Sequence, residues 1–93
     1  MEPLDFDEYV DVLRDRLFDY EAVHDDGTLP VFADLMSDHT YAPKAWAVQG
    51  YDDLLAQGHL DPGASGLAGA GAFGRLSADG RYYVRQQRKD ASE

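Results

Sequence analysis

The sequence predicts an α+β fold in which three helices are followed by a β-hairpin and a closing fourth helix. The first observation is an apolar stripe at helical spacing near the start of the chain. The second is that seven of the nine glycines fall in residues 58–80, which disfavours a helix there. The third is Ser77, a good cap for a last helix. A chain of 93 residues supports one domain with one modest core, expected over about residues 7–88.

The first predicted helix spans residues 5–23. Its apolar side chains recur every three or four residues and form one stripe, which consists of Phe6, Tyr9, Val10, Leu13, Leu17 and Tyr20. Asp5 or Asp7 can cap the helix, and Gly27 can adopt a left-handed conformation in the turn that follows. The turn "HDDG" at residues 24–27 offers metal-ligand types, but neighbouring residues cannot easily all face one ion, so we interpret it as an exposed turn.

Two shorter helices are predicted next. In "TLPVFADLMSDH", Thr28 can cap the helix and Pro30 lies in its first turn. The buried side of this second helix consists of Val31, Phe32, Leu35 and Met36. The third helix is expected to begin near Pro43 and to end at Gly58. Its core face consists of Ala47, Tyr51, Leu54 and Leu55, and its outward side chains are Lys44, Gln49, Asp52 and Gln57. Trp46 lies beside the core face, which favours a core or dimer contact over ligand stacking.

The glycine-rich segment is predicted to form the hairpin. "HLDP" is expected to be a short strand, "GASGLAGAG" a flexible tip and "AFGRL" the returning strand. A phosphate-binding loop is disfavoured because neither "GKS" nor "GKT" follows the glycines. The last helix is expected over residues 77–88, where Asp79 in the first turn is favourable to the helix dipole. Its packing residues are expected to be Tyr82, Tyr83, Val84 and Gln87.

Charge is distributed unevenly along the chain. The formal net charge is −10, and residues 1–40 contribute −10, residues 41–74 contribute −2 and residues 75–93 contribute +2. Fourteen aspartates and only two lysines give a balance that resembles proteins of salt-accumulating halophiles. A strongly acidic surface repels nucleic acid at low salt, so DNA binding requires a surface that is locally neutral or basic.

Two phrases resemble the winged helix-turn-helix family. "YDDLLAQGHLD" is similar to the end of the third helix and the first wing strand of that family, and "RLSADGRYYV" is similar to the phrase that closes the domain. The two phrases occur in the family's order, and the resemblance covers about residues 7–88. In the second phrase, Leu76 is expected to be the last residue of the wing and to pack in the core. Ser77 is expected to cap the last helix, and Gly80 is expected to allow close packing of that helix on the sheet.

The resemblance implies a small transcriptional regulator whose third helix enters the major groove of double-stranded DNA and whose hairpin is a wing. The residues that it places at the DNA are Thr40, Tyr41, Lys44, Ala45, Gln49 and Arg75. Lys44 is the only cation of the third helix, so the alternative is a winged-helix module that binds a protein partner. A neutral-to-positive strip joining Lys44 and Arg75 would favour DNA, and a negative one would favour a protein.

Other classes of function have little support in the sequence. No acid, base or nucleophile lies in a recognisable catalytic motif, so we expect no enzyme activity, no metal and no cofactor. The three histidines, His24, His39 and His59, are expected to be polar residues of turns or of a strand start. The absence of cysteine and of long apolar runs favours a cytoplasmic protein without a membrane partner. Pairing of the oppositely charged terminal helices is expected, as a homodimer or as helix docking.

Overall fold

The structure, a computed structural model, describes residues 4–24, 26–38, 42–68 and 71–91. These residues form four α-helices, one turn of 3₁₀ helix and one antiparallel hairpin. The elements are α1 (Phe6–Val23), α2 (Phe32–Leu35), α3 (Trp46–Ala56), the 3₁₀ turn (Pro62–Ala64), β1 (Gly66–Ala68), β2 (Gly71–Phe73) and α4 (Ala78–Ala91). The predicted α+β class is therefore confirmed. Within these residues, no helix is both long and apolar enough to cross a membrane.

Helix α1 forms as the apolar stripe predicts. The Asp5 carboxylate accepts a hydrogen bond from the Glu8 backbone N–H at 2.8 Å, which caps the helix start. Four stripe residues are buried in the core, namely Tyr9, Val10, Leu13 and Leu17. At the other end, Gly27 has a φ of 90°, as expected for the turn that follows the helix. Helix α1 thus provides the central surface on which α3 and α4 pack.

A buried arginine, Arg14, connects α1 to two other helices. Its side chain is almost inaccessible to solvent, yet its guanidinium donates hydrogen bonds to Asp11 at 2.8 Å and to Gln57 at 2.9 Å. The guanidinium carbon also lies 4.3 Å from the centroid of the Tyr83 ring on α4. A charge in the core is tolerated when it is paired in this way.

The second helix is shorter than the sequence predicts. It covers only Phe32–Leu35, with Val31 in the cap position, so the predicted cap at Thr28 is wrong. The backbone N–H and the hydroxyl of Thr28 instead donate to the Asp26 carboxylate at 3.0 and 2.7 Å. Val31 forms an isolated antiparallel bridge with Phe73 of β2. Its backbone is therefore extended, and the helix begins only after it.

Helix α3 agrees with the predicted segment except at its start. Residues 43–45 form a turn, and the helix begins at Trp46 rather than near Pro43. Ala47 and Leu54 are buried as predicted, Gly50 is an additional buried position, and Tyr51 and Leu55 are half-buried against the core. The expected outward residues are all exposed, namely Lys44, Gln49, Asp52 and Gln57. The indole of Trp46 forms edge-to-face contacts with Phe6 and Tyr9 at 5.5 and 5.4 Å, which is a core role.

The first strand of the hairpin lies later in the chain than predicted, whereas β2 overlaps the start of the predicted returning strand "AFGRL". That first strand is Gly66–Ala68, inside the segment expected to be the tip, whereas the predicted strand "HLDP" contributes only an isolated bridge between Leu60 and Leu76. The 3₁₀ turn lies between the Leu60 bridge and strand β1. The Asp61 side chain caps this turn by accepting a hydrogen bond from Gly63 N–H at 2.9 Å. Strand β2 then packs on both α2 and α3. The hairpin is therefore held against the helices.

The joint between the hairpin and α4 forms as predicted. Leu76 is fully buried, and the Ser77 hydroxyl accepts a hydrogen bond from Gly80 N–H at 3.1 Å, capping the helix. A Cβ at Gly80 would lie 2.3 Å from the His59 carbonyl oxygen, so only glycine fits there. Val84 is buried and Tyr83 is half-buried, but Tyr82 and Gln87 are exposed, so their predicted packing roles are wrong.

Candidate functional site

The candidate nucleic-acid interface is the outward surface at the start of α3. Lys44 and Ala45 lie in the turn that opens the helix, Gln49 lies in its first turn, and all three are exposed. Backbone hydrogen bonds from Trp46 N–H to Pro43 at 3.0 Å and from Ala47 N–H to Lys44 at 3.2 Å fix this turn.

The polar groups of this surface are available for a ligand. Within the described ranges, the side chains of Lys44 and Gln49 form no hydrogen bond or ion pair. An ammonium donor and an amide with both donor and acceptor atoms therefore point outward. The other two residues expected here, Thr40 and Tyr41, lie outside the described residues, and their contacts stay predictions.

The segments that form α3 and the hairpin carry little charge. Residues 44–57 carry one lysine and two aspartates, which gives a net charge of −1, and residues 62–74 carry no charge. Two exposed apolar side chains lie in the same elements, Val48 at 37% and Leu67 at 63% exposure. The α3 and hairpin region thus lacks both the strong acidity of α1 and a strong basic patch.

Arg75 belongs to a different part of the molecule. Its guanidinium nitrogen lies 3.7 Å from the position that a Cβ on Gly27 would occupy. The side chain lines a cleft together with residues of α1 and α4, and Lys44 is not among the lining residues. The described residues show no contact that joins Lys44 and Arg75. The DNA contact expected of Arg75 stays a prediction.

Two basic residues of α4, Arg81 and Arg88, pair with acidic residues of α1. Arg81 Nε donates to the Glu21 carboxylate at 3.2 Å, and Arg88 donates to Asp15 and Asp19, with nitrogen to oxygen distances of 2.8 Å to each. The hydrogen bonds that the Arg88 guanidinium donates to Asp19, and then to Asp15, raise the pKa of Arg88 above its usual value. The docking of one terminal helix on the other therefore occurs within one chain.

The histidines described do not form a metal site. His24 caps α1 and stacks on Tyr20 with ring centroids 3.9 Å apart, and His59 lies against Tyr83 with centroids 4.8 Å apart. In the part of the chain that the structure describes, no three His, Asp or Glu side chains are grouped so that they could hold a metal ion. His39 lies outside that part.

The Asp26 carboxylate organises the exposed turn after α1. Its bonds from the Thr28 hydroxyl and backbone N–H lower the pKa of Asp26. These contacts are those of a side-chain turn, which agrees with the interpretation of "HDDG" as a turn for its described residues.

Comparison of the chain with protein-family models, with curated proteins and with solved structures gives no match.

Sequence reasoning missed one group of residues, the side chains that line the cleft between α1 and α4. The sequence pattern assigned no role to Glu21. In the structure, its carboxylate accepts hydrogen bonds from Arg81 and from the Leu76 backbone N–H, the latter at 2.7 Å. The spacing of Arg81 and Arg85, four residues apart on one helix, is the signal that places both guanidiniums on one face. Their convergence with Arg75 depends on the tertiary fold and has no local signal.

Proposed function

We propose that this domain is a winged helix-turn-helix that binds double-stranded DNA through the outward surface of α3. The observation that carries the proposal is the pair of unengaged polar side chains, Lys44 and Gln49, on an exposed helix start. A lysine ammonium can contact a phosphate, and a glutamine amide matches the donor and acceptor pattern of adenine in the major groove.

The arrangement of the elements supports this proposal. The hairpin packs on both α2 and α3 through β2. The bridge between Val31 and Phe73 adds a third extended segment beside the hairpin. A third helix with a neighbouring hairpin is the layout in which the helix enters the groove and the hairpin touches the backbone as a wing.

The ion pairs of α4 also support DNA binding by an acidic chain. Arg81 and Arg88 neutralise carboxylates on the side of α1 that faces α4. This pairing reduces the negative field that would otherwise oppose a phosphate backbone. The nearly neutral α3 and hairpin region is then the part of the surface where DNA repulsion is weakest.

A second candidate function is binding of a protein partner by the same surface. The exposed apolar side chains of Val48 and Leu67 favour it, because exposed apolar groups combined with few charges are typical of interfaces between proteins. In this alternative, Lys44 is a rim charge and DNA affinity is negligible.

Fluorescence anisotropy of labelled duplex DNA at several salt concentrations tests the first proposal. We expect the logarithm of the affinity to fall linearly with the logarithm of the salt concentration, with a slope of about 0.9 for each phosphate neutralised. Lys44→Glu should weaken binding much more than Lys89→Glu, a matched charge reversal near the chain end. Absence of binding at low salt, or equal loss in the two variants, would favour the protein-binding alternative.

A further inference from the structure

The cleft between α1 and α4 concentrates positive charge in an acidic protein. Its volume is about 310 Å³, near the lower end of the range for small-molecule pockets. Three of the eight lysines and arginines of the chain line it, namely Arg75, Arg81 and Arg85. With the lining carboxylate of Glu21, they leave a local net charge of +2 in a chain whose net charge is −10.

Two of these arginines have no anionic partner among the described residues. Arg81 is engaged by the Glu21 carboxylate at 3.2 Å. The guanidiniums of Arg75 and Arg85 form neither an ion pair nor a hydrogen bond with any described residue. Carboxylates outnumber cations by more than two to one in this chain, and Arg88 on the same helix is paired with two of them. Arg75 and Arg85 therefore differ from Arg81 and Arg88 in that no described carboxylate pairs with them.

The apolar part of the cleft lies next to the arginines. Phe18 and Ala22 line it from α1, and the Arg85 guanidinium carbon lies 5.7 Å from the centroid of the Phe18 ring. The Phe18 ring is half-buried, so part of it packs against the protein and part remains accessible to a ligand. A ligand in the cleft would meet guanidinium donors and an aromatic surface together.

We propose that this cleft binds a small organic oxyanion, a carboxylate or phosphate carried on an apolar body. The planar guanidinium forms paired hydrogen bonds with either kind of oxyanion. Arg75 and Arg85 bind the oxygens, Arg81 adds positive charge while it remains anchored by Glu21, and Phe18 contacts the apolar body. No residue of α3 lines this cleft, so the proposal of an anion site does not depend on the proposal of DNA binding.

Titration of the ¹⁵N-labelled protein at low salt with benzoate and with phenyl phosphate tests the proposal, and the two arms separate carboxylate from phosphate. At least one probe should cause saturable shifts in residues 18–24 and 75–85, including the arginine Nε–H signals. Benzamide, which is neutral and has nearly the same shape, should bind at least tenfold more weakly. Inorganic phosphate should also bind more weakly because it has no apolar body.

Variants identify the groups that bind the anion. Arg75→Gln and Arg85→Gln each remove a charged hydrogen-bonding group without breaking an ion pair, and each should weaken binding about tenfold or more. Lys89→Gln, which removes the same charge from α4 outside the cleft lining, should change affinity less than twofold. Unchanged thermal unfolding in each variant confirms that the fold is kept.

Several results would overturn the proposal. These are no saturable shift with either organic anion, equal affinity for benzamide or inorganic phosphate, or an equal loss in Lys89→Gln. Equal loss in all variants would mean that the arginines act only through the overall charge of the surface.

Discussion

Gly80 at the start of α4 lies directly against the backbone carbonyl of His59, at the position where a Cβ would be only 2.3 Å from the oxygen. That carbonyl also accepts a hydrogen bond from Ser77 N–H at 2.8 Å. The oxygen therefore cannot move away from a methyl group without loss of the bond that holds the helix start. The close approach of α4 to the backbone at His59 depends on the absence of a side chain at position 80.

Gly80→Ala should therefore destabilise the protein by about 2 kcal/mol, because backbone overpacking outweighs the better helix propensity of alanine. Urea unfolding measures the change. Gly63→Ala is the matched control, since its Cβ would approach only the Asp61 side chain, at 3.3 Å, and its cost should be below about 1 kcal/mol. Similar losses in both variants would contradict the role of the Gly80 contact.

Glu21 should contribute to stability mainly as a hydrogen-bond acceptor. Its carboxylate accepts from the Leu76 N–H and from Arg81, so Glu21→Ala should cost about 1–3 kcal/mol by leaving the backbone donor without a partner. Glu21→Gln keeps an acceptor oxygen and should cost about 1 kcal/mol or less, the value of a partly exposed ion pair. Thermal and urea unfolding of both variants distinguish the two contributions. Equal losses would assign the effect to charge alone.

The sequence predicts well those features of the fold that local patterns encode. The α1 stripe and the cap at Ser77 each involve residues within a few positions of one another, and both are confirmed. The errors at Thr28 and "HLDP" have a different origin. Val31 is drawn out of a helix by its bridge to Phe73, and the strand pairing begins only after the 3₁₀ turn. These outcomes depend on contacts distant in sequence.

The same distinction applies to the candidate sites. Exposure of Lys44 and Gln49 follows from helical periodicity, and it is confirmed. The cleft requires side chains from α1, from the segment after β2 and from α4 to converge. No periodicity in a single segment specifies that convergence, so residues such as Arg85 receive no binding role from the sequence.

The unfolding free energy should fall as the pH is lowered through the titration of His59. Burial, and then the nearby Arg14 charge, lower the pKa of the His59 imidazole despite opposing effects of Asp79 and Asp53. The unfolded chain therefore binds a proton at a higher pH than the folded chain, near the usual histidine value of about 6.5. Stability contributed by neutral His59 is present above that value and is lost as the pH falls from it towards the lowered pKa.

Urea unfolding at pH 7.5 and at pH 5.5 measures this dependence for the wild type and for His59→Gln. The variant should lose less stability between the two pH values because position 59 no longer takes up a proton. A loss of the same size in His59→Gln would show that other groups produce the pH effect.

Moderate salt should stabilise the folded protein. The net charge of −10 concentrates repulsion in the folded state, whereas the ion pairs of Arg88 are partly exposed and contribute about 1 kcal/mol or less each. Screening should therefore remove more repulsion than attraction. Between about 0.02 and 0.5 M NaCl we expect Tm to rise by about 5 °C, the shift that about 1 kcal/mol produces in a domain of this size. Arg88→Gln, which raises the net negative charge and removes both pairs, should show a larger rise. A fall of Tm with salt would mean that the pairs between α1 and α4 dominate the electrostatic contribution to stability.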